Sequence, residues 1–297
     1  MPFFSIRMYA PHRHSPIDAG ELQGFWSVLE TRCFMSYSMF GQQSELDRLQ
    51  LQSRVWEPAG ERLLAEIGDG AGLRACEIGC GAMGWLGILS RWVGENGSVL
   101  GTDIDDRMIA AAESFISEDT LTNVKICTDD LFASSLPEQS FDLVHLRFQL
   151  APIGRATEQV AIAHSFVRRG GWLVLEDPDA SSWRENPIAP SAERLRRLVL
   201  EAFVRSGGDF DSGRRMPEYL RGVGIEPDMR AEIVALPPGH PYLLLPVQFA
   251  TSLRPKLLGL VDEIELDRLL ASARAELGEG RRWGTTFTLI QAWGRVR

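Results

Sequence analysis

The sequence predicts an α/β protein built on a doubly wound, mostly parallel β-sheet. Between residues 72 and 179, short apolar runs of strand length alternate with helical stretches, which is typical of parallel βαβ units. A glycine-rich segment, residues 77–84, follows the first of these runs and precedes a helix. Glycines at such a place allow a tight turn and a close approach of the backbone to a ligand. The combination therefore indicates a domain that binds an adenosine-bearing cofactor.

The first 71 residues are predicted to be helical. Apolar residues recur at mixed three- and four-residue spacing over residues 18–35 and again over residues 45–67. Pro58 interrupts the second stretch, which predicts either two helices or one kinked helix. The glycines between residues 68 and 72 end it. We interpret residues 1–71 as a helical N-terminal cap.

Strands and helices alternate in the next hundred residues. Strands are expected at residues 73–78, 98–102, 123–127, 141–146 and 172–176, and helices at residues 83–93, 106–117 and 158–167. The pair Gly170 and Gly171 is expected to end the last of these helices. Residues 72–236 are interpreted as the cofactor-binding core.

The C-terminal part adds two helices, two strands and an insertion. Helices are expected at residues 192–205 and 217–222, and strands at residues 230–236 and 284–293. The 47 residues from 237 to 283 begin with prolines, contain two helical stretches and separate the last two strands. We interpret residues 237–283 as a lid insertion over the site and residues 284–297 as the final core strand.

Composition excludes several classes of protein. The chain has 297 residues, 44% of them hydrophobic, and a net charge of -9, which disfavours binding to nucleic-acid backbones. The four cysteines, Cys33, Cys76, Cys80 and Cys127, show neither CxxC nor zinc-finger spacing. They are expected to be buried thiols, with no metal site. No secretory leader and no apolar run of membrane-spanning length is apparent, so we expect a cytoplasmic protein.

Three carboxylates follow the predicted strands in positions suited to a cofactor. Glu77 precedes the glycines, where it suits a cofactor with an amino group and a positive charge better than a pyrophosphate. Asp103 ends the second strand, where a carboxylate can accept both ribose hydroxyls. Asp129 follows the third strand and can accept an adenine amino group. Taken singly, each could instead cap a turn or a helix; together, at these spacings, they favour a cofactor site.

Five segments occur here in the order and spacing of a known family. The segments ACEIGCGAMG, VLGTDIDDRMIAAA, ICTDDLFASSLP, SFDLVHLRF and RRGGWLVLEDPD resemble the successive motifs of class I S-adenosylmethionine-dependent methyltransferases. The resemblance covers residues 73–179 and implies a Rossmann-like sheet of seven strands with an antiparallel last strand. It also implies S-adenosylmethionine as the cofactor. Met83 departs from the pattern, because many members have a glycine at that position.

The resemblance assigns cofactor roles position by position. The residues implied to line the methionine part are Glu77, Gly79, Cys80 and Gly81. Those implied around the nucleoside are Asp103 at the ribose, Ile104 and Met108 on the adenine faces, and Asp129, Asp130 and Leu131 at the adenine edge. Arg147 and Phe148 are implied to border the methyl group.

Candidates for the acceptor side come from the predicted cap, the end of the fifth strand and the insertion. His240 is the candidate polar or catalytic residue of the lid, whereas His145 is interpreted as a packed strand residue. Tyr37, Asp177 and Tyr242 are candidates for substrate binding. A helical cap plus a lid suggests an enclosed pocket for a small, partly apolar acceptor, such as a natural product or metabolite.

Alternatives remain open at this point. The GxGxxG pattern also suits an NAD(P)-dependent oxidoreductase, although Glu77 and the acid pair Asp129 and Asp130 count against a dinucleotide. A non-catalytic methyltransferase-like protein that acts through a partner is a further alternative. Methylation of a macromolecule is disfavoured by the acidic charge. Neither a nucleic-acid nor a membrane partner is expected, and a homodimer remains open.

Overall fold

A computed structural model describes residues 43–297, in which ten strands are defined. They are β1 (Arg74–Ile78), β2 (Ser98–Asp103), β3 (Val124–Thr128), β4 (Phe141–Arg147), β5 (Val167–Asp179), β6 (Arg184–Asn186), β7 (Asp228–Glu232), β8 (Ala235–Leu236), β9 (Trp283–Thr285) and β10 (Thr288–Arg295). Seven of them form the main sheet in the order β3-β2-β1-β4-β5-β10-β7.

The same part of the chain contains ten α-helices. They are α1 (Gln43–Ile67), α2 (Leu86–Val93), α3 (Asp106–Glu118), α4 (Leu150–Ile153), α5 (Ala156–Phe166), α6 (Pro190–Arg205), α7 (Met216–Gly222), α8 (Leu245–Ser252), α9 (Arg254–Leu257) and α10 (Glu263–Leu277). None of these helices is both long and apolar enough to cross a membrane.

The topology of the main sheet confirms the predicted fold class. β1 pairs in parallel with β2 on one side and with β4 on the other, so the strand order reverses at β1. β10 runs antiparallel between β5 and β7, as expected for the last strand. In open α/β sheets, ligands bind at the carboxyl ends of the strands where the order reverses. The fold therefore places the glycine-rich segment, which follows β1, at such a switch point.

Each of the last two predicted strands is divided between two sheets. The expected strand 230–236 consists of β7 in the main sheet and β8 in a smaller one, and the expected strand 284–293 consists of β9 and β10. The small sheet has the order β6-β9-β8, and β6 was not predicted. At the break, Val234 and Thr286 remain joined by two hydrogen bonds. Both segments leave the main sheet at the same place and pair again in the small sheet. Each segment therefore keeps a strand-like sequence pattern throughout, and the pattern does not show the break.

Gly170 and Gly171 do not end a helix, contrary to the prediction. α5 ends at Phe166, and both glycines lie within β5. Phe141 of β4 pairs with Val167 but Leu143 pairs with Trp172, so β5 carries extra residues at this point. Gly170 has a φ of 76°, which glycine adopts at low cost, and the strand bulges there.

Apolar side chains cover both faces of the sheet, as its alternating strand residues require. Leu63, Trp85, Leu89, Leu143 and Val174 belong to a cluster that packs α1, α2 and α3 on one face. A second cluster packs α5 and α7 on the other face. The side chains of Glu77, His145 and Arg147 alternate with residues of the second cluster and therefore belong to the face beneath α1.

The insertion is packed as part of the protein core. It contains three α-helices, α8, α9 and α10, and a 3-10 turn at Pro241–Leu244, where two helical stretches were predicted. Leu243, Leu245, Phe249, Leu266 and Leu269 are buried in a cluster with α6 and with Trp56 of α1. Whether it acts as a lid stays a prediction.

Three details of the sequence-based predictions concern α1, the cysteines and the N-terminus. α1 is a single helix through Pro58, so the two-helix alternative is wrong. Cys76 and Cys80 are buried, and burial raises the pKa of both thiols. Cys127 is exposed, contrary to the prediction, because β3 is an edge strand. The expected helix at 18–35, Cys33 and Tyr37 lie outside the described residues.

Candidate active site

The loop after β1 has a backbone that requires glycine. Gly79, Gly81 and Gly84 all have positive φ values, of 65°, 53° and 40°. A Cβ atom on Gly84 would lie 2.6 Å from Oε1 of Glu77 and 2.8 Å from the Cys80 carbonyl oxygen. At Gly81, by contrast, the nearest atom to an added Cβ is 3.9 Å away, so the backbone there borders open space. The loop is therefore closed beneath Gly84 and open at Gly81.

Asp103 joins this loop to the end of β2. Its Oδ2 accepts a hydrogen bond from the Gly81 N–H at 2.9 Å, and its Oδ1 accepts one from the Asp105 N–H at 3.0 Å. Burial raises the pKa of Asp103, although these N–H donors act in the opposite direction. The carboxylate thus holds the glycine loop in place while standing at the carboxyl end of the strand.

The neighbouring strand ends supply one exposed apolar surface and two more acids. Ile104 is 52% exposed, whereas Met108 in α3 is buried. Asp129 accepts a hydrogen bond from the Ser135 N–H at 3.2 Å, and Asp130 caps a 3-10 turn through the Phe132 N–H. An exposed isoleucine flanked by carboxylates suits a ligand with a flat apolar ring and polar edges.

A band of buried polar side chains crosses the sheet directly behind the loop. Nδ1 of His145 lies 2.5 Å from Oε2 of Glu77, and Nε2 of His145 lies 3.3 Å from Oε2 of Glu176. Oε1 of Glu176 accepts a hydrogen bond from the side-chain amide of Gln291 at 2.5 Å. The strand register aligns Glu77 with His145 and Glu176 with Gln291. We call Glu77, His145, Glu176 and Gln291 the polar band.

The polar band favours a charged histidine. Burial disfavours the imidazolium, but the charge of Glu77 and the hydrogen bonds that the ring donates to both carboxylates outweigh it and raise the pKa of His145. The Trp85 ring stacks on the imidazole with centroids 3.7 Å apart, and the Trp85 backbone N–H donates to Oε1 of Glu77 at 3.2 Å. Through Glu77, the polar band therefore connects the end of β1 to the first residues of α2.

Arg147 lies next to the polar band, on the side of α1 and the insertion. Its guanidinium is almost fully buried, donates one hydrogen bond to Oγ of Ser53 at 3.0 Å, and lies 3.9 Å from the Glu176 carboxylate. The next residue, Phe148, has a φ of 55° and packs edge-on against Phe287. The end of β4 thus presents a cation beside an aromatic wall.

The sequence of the core matches a known domain. Residues 69–204 match the family model described as a methyltransferase domain. This core, residues 69–204, is therefore a methyltransferase domain, in agreement with its resemblance to class I S-adenosylmethionine-dependent methyltransferases. Its enzymatic activity is methyl transfer, and its cofactor is S-adenosylmethionine.

Two curated methyltransferases illustrate how far the sequence similarity extends. The N-methyltransferase tcpN of Claviceps purpurea is 28% identical over 197 residues, 64% of this chain and 69% of that protein. The demethylmenaquinone methyltransferase of Staphylococcus aureus is 26% identical over 123 residues, 41% of this chain and 49% of that enzyme. The match thus spans only about half the length of the second relative.

Solved structures share the fold at low sequence identity. The putative methyltransferase from Bacillus halodurans aligns with a TM-score of 0.53 and 12% identity, covering 80% of this chain and all of that one. The YcgJ protein from Bacillus subtilis aligns with a TM-score of 0.51 and 16% identity, covering 79% of this chain and 97% of that one.

The residues at the loop fit this methyltransferase cofactor. Gly81 borders open space, as a close backbone approach requires, and Ile104 offers an apolar surface for adenine. Asp103 and Asp129 stand at adjacent strand ends, where they can accept hydrogen bonds from ribose and adenine. A direct contact of Glu77 with the cofactor stays a prediction, because both of its carboxylate oxygens already have protein partners.

The structure gives two predicted acceptor-side residues a different role. Asp177 is fully buried and accepts hydrogen bonds from the N–H groups of Leu150 and Ala151 and from the Ser212 hydroxyl. It therefore supports the start of α4, and burial raises its pKa to about 7; a role in substrate binding stays a prediction. Nδ1 of His240 accepts the Tyr242 N–H at 3.1 Å, so this nitrogen caps the 3-10 turn.

Tyr242, in contrast, lies beside the end of β4. It is 1% exposed, and the indole of Trp56 and the guanidinium groups of Arg48 and Arg147 act on its hydroxyl. Burial raises the pKa of Tyr242 to about 12, although these three neighbours act in the opposite direction. The hydroxyl is therefore protonated near neutral pH and able to donate a hydrogen bond.

Several residues of the site were missed from the sequence. They are Ser53 and Trp56 in α1, Trp85, Glu176 and Gln291. One signal was present: Glu77, His145 and Glu176 are isolated polar residues in apolar strand runs, and a buried polar side chain needs a partner. His145 is packed in its strand, as interpreted, but its partners are the two carboxylates. Within residues 43–297, no group of three potential ligands is placed to hold a metal ion.

Proposed function

We propose that the chain methylates a small, partly apolar acceptor, such as a metabolite or natural product, in an enclosed site at the carboxyl end of β4. The observation that carries the proposal is the environment of Arg147. The buried guanidinium of Arg147 lies among aromatic side chains from three separate parts of the fold. Phe148 follows β4, Phe287 precedes β10, and Tyr242 belongs to the insertion. A macromolecular acceptor would need an open surface at this point.

The aromatic wall is continuous. The ring of Trp56 lies 5.3 Å from that of Phe287, and Phe287 lies 5.5 Å from Phe148 and 5.6 Å from Phe210. Phe210 also lies 5.9 Å from Phe249 of α8. Aromatic side chains of this kind bind apolar ligand surface and exclude water. They support an acceptor with an apolar or aromatic body.

The protein's own contribution to the reaction is binding and alignment. S-adenosylmethionine supplies an already activated methyl group, so proximity and orientation account for most of the rate gain. Asp103 and the glycine loop hold the cofactor end of the site, and the polar band keeps the loop rigid. The aromatic wall and Tyr242 hold the acceptor.

No general base is assigned. Both ring nitrogens of His145 face carboxylates, and Nδ1 of His240 accepts a backbone N–H. The curated relative tcpN is named an N-methyltransferase, and an amine acceptor can react without a buried base. A nitrogen nucleophile is therefore the acceptor atom that these residues favour.

The experiment compares small and large acceptors directly. The protein is incubated with methyl-labelled S-adenosylmethionine and a cell extract separated into metabolite and macromolecular fractions. We expect label in the metabolite fraction, dependent on active protein and lost with Asp103→Ala. Label confined to the macromolecular fraction, or no extract-dependent transfer, would contradict the proposal.

A further inference from the structure

Three buried hydrogen-bond donors meet at the acceptor side without partners. They are Nη1 of Arg147, the hydroxyl of Tyr242 and Nε1 of Trp56, none of which has a hydrogen-bond partner among the described residues. Trp56 is fully buried, and Tyr242 and Arg147 are 1% and 7% exposed. Buried donors without partners cost free energy, so three of them around one place indicate a missing acceptor group.

Shared aromatic neighbours place these donors in one region. The Trp56 ring lies 5.3 Å from that of Phe287, Phe287 lies 5.5 Å from Phe148, and the Arg147 guanidinium lies 5.7 Å from the Phe148 ring. The Trp56 indole and Arg147 lower the pKa of Tyr242 against the effect of burial, so the Tyr242 hydroxyl lies beside them. Nε1 of Trp56 and the Tyr242 hydroxyl nevertheless lack the geometry of a hydrogen bond. The three donors, from α1, β4 and the insertion, therefore lie together.

The hydrogen bonding of two arginines identifies the kind of group that is missing. Arg48 is matched by Glu45, which accepts two hydrogen bonds from it at 3.0 and 2.6 Å. Within residues 43–297, the carboxylate within 4 Å of the Arg147 guanidinium is that of Glu176, at 3.9 Å, which is longer than a hydrogen bond. Glu77, Glu176, His145 and Arg147 balance in charge when the imidazole is protonated, but Nη1 of Arg147 stays without a hydrogen-bond partner. Because a guanidinium N–H group binds a carboxylate oxygen especially well, this unbonded Nη1 favours a carboxylate as the missing group.

We propose that Arg147, Tyr242 and Trp56 form a receptor for a carboxylate of the methyl acceptor. This inference rests on the proposed function and adds that the acceptor combines an apolar or aromatic body with one carboxylate. The carboxylate oxygens accept hydrogen bonds from Nη1 of Arg147, the Tyr242 hydroxyl and Nε1 of Trp56. The body of the acceptor lies against Phe148 and Phe287, which adjoin Arg147 and Trp56.

The test uses the protein saturated with S-adenosylhomocysteine and measures its melting temperature. Acetate serves as a carboxylate small enough to bind whatever the shape of the natural acceptor, and benzoate adds an aromatic body. Chloride at equal ionic strength and acetamide are the controls. We expect acetate to raise the melting temperature above both controls, and benzoate to do so at lower concentration.

Two conservative variants connect this effect to the receptor. Tyr242→Phe removes only an unpartnered hydroxyl, so we expect an unchanged or higher melting temperature without carboxylate and about tenfold weaker benzoate binding. Arg147→Gln should abolish the carboxylate effect. Tyr219→Phe and Arg274→Gln, on α7 and on the exposed side of α10, are matched controls and should behave as wild type.

Several outcomes would overturn the proposal. Equal stabilisation by acetate, acetamide and chloride would show that no carboxylate receptor exists. Stronger stabilisation by inorganic phosphate than by acetate would indicate a dianion site. Loss of S-adenosylhomocysteine binding in Tyr242→Phe and Arg147→Gln would assign the donors to the cofactor's own carboxylate. A neutral small-molecule acceptor identified by label transfer would refute the receptor while leaving the proposed function intact.

Discussion

At the residue scale, the site depends on a few carboxylates that have more than one role. The Glu77 carboxylate forms hydrogen bonds both with the backbone N–H of Trp85 and with Nδ1 of His145. The Asp103 carboxylate accepts a hydrogen bond from the Gly81 backbone N–H and is also the predicted partner of the ribose hydroxyls. A substitution at either position should therefore change the shape of the loop as well as any contact with the cofactor.

Asp103→Ala should weaken the binding of S-adenosylhomocysteine by about tenfold or more. The change removes an acceptor for the ribose hydroxyls, and unpaired groups in a closed site cost roughly 1–3 kcal/mol. It also removes the partner of the Gly81 N–H. Calorimetric titration measures the effect, with the exposed Asp119→Ala as control. Unchanged affinity in Asp103→Ala would show that the carboxylate has no ligand to hold.

His145 should make the stability of the protein depend on pH. Its pKa is raised in the folded state, so its contribution to stability is complete below the unfolded-state pKa of about 6.5 and is lost as pH rises through the folded-state pKa. We expect the free energy of unfolding in urea to fall over this range in wild type and to change less in His145→Gln.

His164→Gln is the control for this experiment. His164 is half-buried on α5, and burial lowers its pKa, so it cannot produce a loss of stability at alkaline pH. A pH profile of His145→Gln that coincides with that of wild type would show that the histidine is neutral between its two carboxylates.

At the element scale, the broken strands β7/β8 and β9/β10 connect the insertion to the main sheet. β8 and β9 pair with each other in the small sheet, and the insertion begins after β8 and ends at Trp283, the first residue of β9. The 3-10 turn that carries Tyr242 follows directly, and His240 caps it. The position of Tyr242 therefore depends on the hydrogen bond by which His240 caps this 3-10 turn.

His240 substitutions should separate capping from catalysis. His240→Ala removes the cap and should destabilise the protein by about 0.5–2 kcal/mol, whereas His240→Asn keeps a side-chain acceptor and should restore much of the stability. We expect His240→Asn to retain methyl transfer to the metabolite fraction. A stable His240→Asn protein without methyl transfer would instead identify the imidazole as a catalytic group.

At the scale of the whole molecule, the insertion packs into the core of the fold. Buried residues of α8 and α10 complete the cluster around α6, and the Ser252 hydroxyl of α8 donates a hydrogen bond to the buried Glu45 of α1. Removal of the insertion would expose this apolar surface and leave Glu45 with fewer partners.

Replacement of residues 237–283 by a short loop should therefore abolish folding. Loss of many fully buried leucine and phenylalanine side chains, each worth about 1.5–3 kcal/mol, exceeds the stability of an ordinary domain. Circular dichroism, binding of a hydrophobic dye and S-adenosylhomocysteine titration would measure the outcome. A folded deletion variant that still binds S-adenosylhomocysteine would show that the insertion is a separable lid.

Local patterns in the sequence were sufficient to predict the doubly wound sheet and to place the candidate cofactor residues at its strand ends. Alternating strand and helix periodicity requires parallel βαβ units, and the glycines, Asp103 and Asp129 lie at strand ends where short-range sequence order determines their place. The cofactor residues come from consecutive units, so their proximity follows from the topology of the core.

Only the tertiary structure brings together the residues of the proposed acceptor end. Trp56, Arg147, Tyr242 and Phe287 come from α1, β4, the insertion and the segment before β10, and no local pattern relates them. The same holds for the hydrogen bonds of Asp177 and His240, which accept from backbone N–H groups that local sequence does not reveal. Such contacts depend on long-range packing, because each residue's partner is selected by the three-dimensional path of the chain and not by its neighbours in sequence.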